Sequence, residues 1–257
     1  MSSNRFLDDK NLKKIDKKIN VIIDRIGKDI KTEDEVFDRY TLLTLEKLIS
    51  NRVIDTLDFP ISTGKEGNIF RATTPDKKFV AVKIYRISTS TFKHITKYIT
   101  GDPRFQSINK NRKDIVYAWT IKEFKNLQKL RKINVSTPKP ILCINNVLVM
   151  EYIGYPEEPA PLLKDVNIKN PKRIFDEVIG FIEDMYKKAG LVHADISSFN
   201  ILIYKNNPYI IDLGQAVLID HPNSNDFLKR DISNIVNYFK KYNIKADIEQ
   251  IYNKITK

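Results

Sequence analysis

Three side chains in the last third of the chain have the types and spacing that phosphoryl transfer requires. Asn200 follows Asp195 in His-Ala-Asp-Ile-Ser-Ser-Phe-Asn, and Asp212 follows in Asp-Leu-Gly. A carboxylate at Asp195 could accept a hydroxyl proton or orient the nucleophile. Oxygens of Asn200 and Asp212 are hard ligands of the kind that suit Mg²⁺ on the phosphates of ATP. We predict Asp195 and Asp212 as catalytic residues, and Asn200 and Asp212 as ligands of Mg²⁺ or Mn²⁺.

The alternative interpretation of this triplet is structural. Asp and Asn are common in turns because their side chains hydrogen-bond to nearby backbone groups. Asp195 and Asn200 would then be turn residues, and Asp212 an ordinary carboxylate at the end of a strand. Residues earlier in the chain argue against this alternative.

A glycine-containing turn and a Lys–Glu pair precede the triplet. Lys83 ends the strand-like sequence Ala-Val-Lys, and Glu123 lies on the same helical face as Trp119 and Leu127. Because an acid on an apolar face usually has a partner, we predict that Glu123 pairs with Lys83, which holds the α- and β-phosphates. The turn would present backbone N–H groups to phosphates, since its glycines remove side-chain obstruction. Its residues are Ser62, Thr63, Gly64, Lys65, Glu66, Gly67 and Asn68.

Hydrophobic periodicity predicts the elements that must position these groups. Helices are expected over 8–50, with a break near 27–33, and over 114–131, 171–189, 226–240 and 245–256. Strands are expected over 53–57, 69–73, 78–85, 141–144 and 147–152, with two short ones flanking the catalytic sequence. The polar stretch 87–112 predicts a long mobile loop.

A hinge is predicted where the last of the five strands ends. Glu151 and Ile153 would present backbone groups to adenine there, followed by a proline-rich connector over 155–161. We therefore expect three parts: an N-terminal helical extension (1–50), an N-lobe (51–153, containing the 87–112 loop) and a C-lobe (154–257).

Composition limits the class of protein. The 257 residues are 42% hydrophobic and 30% charged, as in globular proteins. The single cysteine, Cys143, excludes an internal disulfide and lies in an apolar run, which favours a core residue over a nucleophile. No stretch approaches a membrane span or a signal peptide, so we expect a cytoplasmic protein without membrane partners.

The net charge of +12 is concentrated in one segment. Residues 86–113 contain seven Lys or Arg and one acid, Asp102, which gives +6. Basic clusters of this kind attract nucleic-acid backbones through counterion release. The alternative is a solvated surface in a lysine-rich chain.

Taken together, these residues resemble the RIO-type atypical protein kinases, specifically the first RIO subfamily in its short archaeal form. The matching strings, which cover about residues 35–240, are Ser-Thr-Gly-Lys-Glu-Gly-Asn (62–68), Val-Lys-Ile-Tyr (82–85), Gly-Asp-Pro-Arg-Phe (101–105), Trp119 with Lys-Glu-Phe (122–124), Met-Glu-Tyr-Ile-Gly (150–154), Pro-Ala-Pro-Leu-Leu-Lys-Asp (159–165), the 193–200 run and Ile-Asp-Leu-Gly-Gln-Ala-Val (211–217).

The resemblance implies an α+β, two-lobed protein-kinase-like fold with an N-terminal helical extension and ATP–Mg²⁺ between the lobes. It implies a serine kinase that phosphorylates itself, an ATPase that passes through a phospho-Asp at Asp212, and a role in maturation of the small ribosomal subunit, with rRNA and ribosomal proteins as partners. Candidate autophosphorylation sites are Ser88, Thr89, Ser90, Thr91 and Ser107.

Some features depart from ordinary kinases. Ser197 stands where serine/threonine kinases carry a catalytic-loop lysine, so we expect it to make a lighter phosphate or hydroxyl contact. Only 43 residues follow Gly214, without an Ala-Pro-Glu motif, which predicts a truncated C-lobe lacking the usual peptide-docking helices. Within the RIO family, Gly67 replaces a commoner Ala and Ser198 a commoner Glu.

Two other functions compete with the kinase hypothesis. A nucleotide-gated ribosome-assembly factor would use the same ligands to control binding to ribosomal RNA, with little phosphate delivered to a substrate. A small-molecule phosphotransferase of the aminoglycoside or choline kinase kind shares the Asp–Asn–Asp pattern, but it needs a larger, acidic substrate-binding lobe, whereas this chain ends in a short basic segment.

Overall fold

The structure is a computed structural model that describes residues 37–87, 95, 98, 102, 104 and 111–257. The first predicted helix lies outside these residues. So do most of the predicted 87–112 loop and all five candidate autophosphorylation sites.

A five-stranded antiparallel sheet lies within residues 56–151. Its strands are β1 (Thr56–Thr63), β2 (Gly67–Thr73), β3 (Phe79–Tyr85), β4 (Pro140–Ile144) and β5 (Val147–Glu151), and their order in the sheet is β1-β2-β3-β5-β4. Successive side chains of β3 point to opposite faces of the sheet. Val82 and Ile84 face one hydrophobic cluster, whereas Ala81 and Tyr85 face the other, and Lys83 lies between these last two.

Helix α1 (Arg39–Ser50) covers the outer face of the sheet. Its Asp38 side chain caps the helix by accepting from the Thr41 N–H at 2.8 Å. Leu45 and Leu48 are buried against Phe70 and the strands. This helix confirms the second half of the segment predicted as helical over 8–50.

Helix α2 (Arg112–Lys132) packs on the opposite, inner face and joins the sheet to the rest of the molecule. Asn111 caps it by accepting from the Asp114 N–H at 2.8 Å. Trp119, Leu127 and Leu130 are buried in the larger hydrophobic cluster, as their spacing predicts.

The second half of the chain is mainly helical. Residues 219–223 alone separate its last strand from the next helix, so no extended activation segment follows Gly214 within the described stretch 111–257. Its helices and strands are α3 (Pro171–Lys187), β6 (Leu191–Val192), β7 (Ile201–Tyr204), β8 (Asn207–Ile210), β9 (Val217–Leu218), α4 (Ser224–Phe239) and α5 (Ile248–Thr256). Two short antiparallel pairs, β6 with β9 and β7 with β8, carry the predicted catalytic residues in the loops between them.

The strand bounds differ most from the prediction at the first two strands. Residues 53–55, predicted as the start of a strand, instead close α1, because the N–H groups of Val53 and Ile54 both donate to the Leu48 carbonyl. The strand begins at Thr56 and continues to Thr63, and β2 begins at Gly67, so the predicted turn shortens to 64–66.

Two further observations concern the single cysteine and the length of the helices. Burial raises the pKa of the Cys143 thiol to about 12, so the reactive thiolate is scarce near neutral pH. None of the helices in the described ranges is long and apolar enough to cross a membrane.

Candidate active site

The centre of the candidate site is an ion cluster that joins the two halves of the molecule. Lys83 Nζ on β3 lies 3.0 Å and 2.9 Å from the two carboxylate oxygens of Glu123 on α2. The same Nζ lies 2.9 Å from Oδ1 of Asp212, after β8. The Tyr85 hydroxyl also donates to the Glu123 carboxylate. The structure therefore brings together residues that are 129 positions apart in sequence.

The charges of this cluster are set by two acids around one base. Burial lowers the pKa of Lys83, but the charges of Asp212 and Glu123 outweigh it and hold that pKa above its ordinary value, so the ammonium stays charged. Burial also opposes ionisation of Asp212, yet Lys83 keeps the pKa of that carboxyl below its usual range. Burial raises the pKa of Glu123 to about 7 despite Lys83. Asp212 is thus the stronger acid and Glu123 the group that protonates first.

Asn200 orients Asp195. The Asn200 Nδ2 donates to the backbone carbonyl of Asp195 at 2.8 Å and to its Oδ2 at 3.0 Å. Because Nδ2 makes both bonds, Oδ1 is the Asn200 atom available to a cation. Asp195 is half-buried, and burial raises the pKa of its carboxyl above the ordinary value.

Two backbone positions next to these residues adopt left-handed conformations. Ala194 has φ of +66° and Asp212 has φ of +64°. Such values are uncommon for non-glycine residues and are held only when the surroundings enforce them. His193 contributes, since its buried ring donates from Nε2 to the Ile211 carbonyl at 3.1 Å and so joins the two segments. Burial also lowers the pKa of His193, which favours the neutral ring.

Side chains of helix α4 hydrogen-bond to the backbone of residues 194–196, on either side of Asp195. The Asp231 carboxylate accepts from the N–H groups of Ala194 at 2.8 Å and Ile196 at 2.9 Å. Asn234 donates to the Ile196 carbonyl at 3.0 Å, and Arg230 donates to the Ala194 carbonyl. Our sequence interpretation missed these residues. The available signal was an acid on an apolar helical face, since Asp231 lies among Phe227, Leu228, Ile232 and Ile235.

A cavity of about 530 Å³ opens beside the ion cluster. Ile61, Ile69, Ala81 and Met150 are apolar residues of its lining, and Lys83 and Asp212 form its charged end. This combination of an apolar pocket with a few convergent polar groups is typical of ligand sites. Eleven of the predicted site residues border it: Ser62, Gly64, Lys65, Glu66, Gly67, Lys83, Glu123, Glu151, Ile153, Asn200 and Asp212.

Four predicted residues do not border the cavity. Asn68 is buried and accepts a hydrogen bond from Arg86 at 3.1 Å, and Thr63 is exposed. Ser197 accepts from the Phe199 N–H at 3.3 Å within its own turn, whereas Asp195 lies just beyond the cavity wall, bonded to Asn200, which lines it.

The predicted hinge presents the Ile153 N–H as a backbone donor. The Ile153 carbonyl accepts from the Ala160 N–H at 3.0 Å, but the Ile153 N–H has no partner among the described residues. An unpaired N–H at the edge of an apolar cavity is suited to an aromatic nitrogen of a base.

Comparison with known proteins identifies the family of this chain. A family model described as RIO domain matches residues 68–251. The chain belongs to the RIO family. Its similarity to the RIO-type serine/threonine-protein kinase Rio1 of Haloferax volcanii is 42% identity over 88% of this chain and 78% of that protein. Against the protein of the same name from Thermoplasma acidophilum it is 48% over 74% of this chain and 99% of that protein.

Solved structures of RIO proteins confirm the α+β, kinase-like fold. The Rio2 kinase–ADP/Mg²⁺–phosphoaspartate complex from Chaetomium thermophilum matches with a TM-score of 0.65 and 22% identity, covering 82% of this chain and 65% of that chain. This RIO protein is therefore an atypical serine/threonine kinase by family, and kinases use ATP with a divalent metal ion. Membership favours this over the small-molecule phosphotransferase alternative.

The buried ion pair gives a testable prediction for this RIO protein. Glu123→Gln should lower kcat/KM for ATP by about 10- to 100-fold, because a hydrogen bond to a charged group contributes about 1.5–3 kcal/mol. Lys83 would then be drawn to Asp212 alone. Steady-state ATP kinetics measure this, with the exposed Glu157→Gln as the matched control. Equal kinetics for the two variants would contradict a role for the pair.

Proposed function

We propose that this RIO kinase binds Mg·ATP in the cavity between the sheet and the helical half and transfers or hydrolyses the γ-phosphoryl group. Asp195 is the base or orienting carboxylate, Asn200 and Asp212 are the metal ligands, and Lys83 paired with Glu123 clamps the phosphates. One observation carries the proposal: Lys83 contacts Glu123 and Asp212 at once, at the charged end of a cavity that Asn200 also borders.

The donor set at Asn200 and Asp212 fits Mg²⁺. One carboxylate and one amide oxygen are hard ligands, and the lowered pKa of Asp212 keeps its carboxylate ionised. Mg²⁺ commonly takes one or two protein oxygens and completes its shell with phosphates and waters. When bound, the ion would neutralise charge on the phosphate oxygens.

The nucleotide orientation follows from the two ends of the cavity. The apolar part, with Ala81 and Met150, suits adenine, and the Ile153 N–H lies at its edge. The charged end and the turn at Gly64 suit the triphosphate, where Lys83 is held in place by two carboxylates. This orientation would bring the γ-phosphate toward Asn200 and Asp195.

The acceptor of the phosphoryl group is proposed to include the protein itself. The related Rio2 structure is described as a phosphoaspartate complex. In this chain the corresponding step would be attack of an Asp212 oxygen on the γ-phosphorus, forming an acyl phosphate and releasing ADP, followed by hydrolysis by water. The Asp212 side chain is 33% exposed, so it is accessible from the cavity. Serine autophosphorylation is the second proposed outcome.

Mass spectrometry of the purified protein after incubation with Mg·ATP tests this proposal. We expect one phosphate that is lost in hydroxylamine, which marks an acyl phosphate, together with phosphoserine that survives it. A protein that neither gains phosphate nor hydrolyses ATP above the level of Asp195→Asn would contradict the proposed function.

The proposed partner is the pre-ribosomal small subunit, with its rRNA and ribosomal proteins. Support comes from the net charge of +12, half of it in residues 86–113, because such clusters bind phosphate backbones. Binding to isolated small subunits should be measured with ATP, ADP and no nucleotide at two salt concentrations. Affinity should depend on nucleotide and fall with salt. An affinity that changes with neither nucleotide nor salt concentration would contradict the proposed partner and the nucleotide-gated alternative.

A further inference from the structure

Lys122 is a fully buried lysine that the proposed mechanism does not use. It precedes Glu123 on α2, and its exposed fraction is 0%. Its Nζ donates to the Gly214 carbonyl at 2.8 Å, and no carboxylate in the described part of the chain forms an ion pair with it. Burial lowers the pKa of Lys122 to about 7. Lysine is almost never fully buried without a partner, so this arrangement needs an explanation.

Asn126, one turn further along α2, makes an equivalent contact. Its Nδ2 donates to the Leu213 carbonyl at 2.9 Å and approaches the Ala216 carbonyl at 3.4 Å. Its Oδ1 accepts from Arg104 at 2.9 Å, which fixes the orientation of the amide. The carbonyls of both residues that follow Asp212 are thus bound by side chains of one helix.

Trp119 closes the same junction by packing. A Cβ added at Gly214 would lie 2.8 Å from Nε1 of Trp119, closer than real Cβ atoms approach. The segment after Asp212 is therefore pressed against α2 and hydrogen-bonded to it, with little space for another conformation.

This junction matters because Asp212 holds a left-handed backbone conformation, with φ of +64°. This conformation costs free energy even for Asp, which tolerates it better than most residues, so contacts that hold the neighbouring backbone stabilise it. Lys83 contacts the Asp212 carboxylate but does not fix the backbone after it. Lys122 and Asn126 bind the next two carbonyls and supply that restraint.

We propose that Lys122 and Asn126 are positioning residues that hold Asp212 in its metal-binding conformation. The proposal rests on the proposed function, since it assumes that Asp212 binds the metal. Helix α2 then has two roles: Glu123 fixes Lys83, and Lys122 with Asn126 fixes Asp212. Loss of either donor should weaken the metal-dependent part of nucleotide binding and leave the metal-independent part unchanged. A merely structural role would lower stability without this selectivity.

Nucleotide binding with and without Mg²⁺ separates the two roles. The variant is Lys122→Met, which keeps the length of the side chain and removes the ammonium, and the matched control is Lys125→Met, an exposed lysine on the same helix. Fluorescent ADP is titrated in excess Mg²⁺ and in EDTA. We expect Lys122→Met to lose about 10- to 100-fold of the affinity gained on adding Mg²⁺, as for residues that orient a metal ligand, with the EDTA affinity within about twofold of the parent.

Three results would decide against the proposal in distinguishable ways. A parent protein that gains no affinity from Mg²⁺ would refute the proposed function and this inference with it. If Mg²⁺ raises the ADP affinity of Lys122→Met as much as that of the parent, while Asp212→Asn loses this increase, the inference alone is refuted. If Lys122→Met loses ADP affinity by the same factor in EDTA and in Mg²⁺, Lys122 has only a structural role. If thermal melting shows Lys122→Met unfolded, Asn126→Ala decides by the same criteria, because it leaves the buried ammonium in place.

Discussion

Replacing Asp195 by asparagine should lower ATP turnover by about 10²- to 10⁴-fold, the usual contribution of a positioned base. Asparagine keeps the size of the side chain but cannot accept a hydroxyl proton. Asn200 already bonds the Asp195 backbone carbonyl at 2.8 Å, so the segment should keep its conformation and KM for ATP should change little. Steady-state kinetics that separate kcat from KM measure the effect.

The pH dependence of turnover provides an independent check on Asp195. Burial raises the pKa of this carboxyl above its ordinary value of 3.8, and the base must be ionised to act. Turnover should therefore rise with pH through a pKa above that value, and this limb should be absent from the small residual activity of Asp195→Asn. Unchanged kcat in Asp195→Asn, with the parent active, would exclude a catalytic role for this residue.

Asp212→Asn should have the second large effect, a loss of at least about 10³-fold in kcat/KM for Mg·ATP. The change removes the ionised metal ligand and the proposed phosphoryl acceptor, and it takes away one of the two carboxylates that hold Lys83. Turnover and acyl-phosphate formation should disappear together. If serine is phosphorylated by direct transfer from ATP, the rate of phosphoserine formation should fall by the same factor.

The control for Asp212→Asn is Asp220→Asn, an exposed aspartate beyond β9 that makes none of these contacts. It should behave as the parent. Raising the Mg²⁺ concentration should not restore turnover through the acyl phosphate, because the asparagine amide cannot accept the phosphoryl group. An Asp212→Asn protein with parental turnover at low Mg²⁺ would contradict the assigned ligand.

The Lys83–Glu123 pair could be predicted from sequence because both members have a local signal. Lys83 follows the glycine-containing turn in the strand-like sequence Ala-Val-Lys, and Glu123 interrupts an apolar helical stripe, which marks it as a charge that needs a partner. The contact of Lys83 with Asp212 was not predicted. The Asp195–Asn200 spacing indicates a catalytic turn. These signals depend on periodicity and residue type, which sequence carries directly.

Other features could not be predicted because they arise from contacts distant in sequence. The bonds of Asp231 to the N–H groups of Ala194 and Ile196 span 37 and 35 residues. Lys122 has the sequence signal of an ordinary helical lysine, and only the fold brings the Gly214 carbonyl to it, 92 residues away. The left-handed conformation at Asp212 could not be predicted from its residue type alone, because Asp adopts this conformation more often than most residues but still uncommonly.

Crystals grown with a non-hydrolysable ATP analogue and Mn²⁺ test most directly whether these groups surround one triphosphate. We expect an anomalous Mn²⁺ peak within about 2.5 Å of oxygens from both Asn200 and Asp212, with Lys83 in contact with the phosphates. We also expect the adenine ring to accept a hydrogen bond from the Ile153 N–H. A metal peak away from Asn200 and Asp212, or a nucleotide bound outside the cavity, would contradict it.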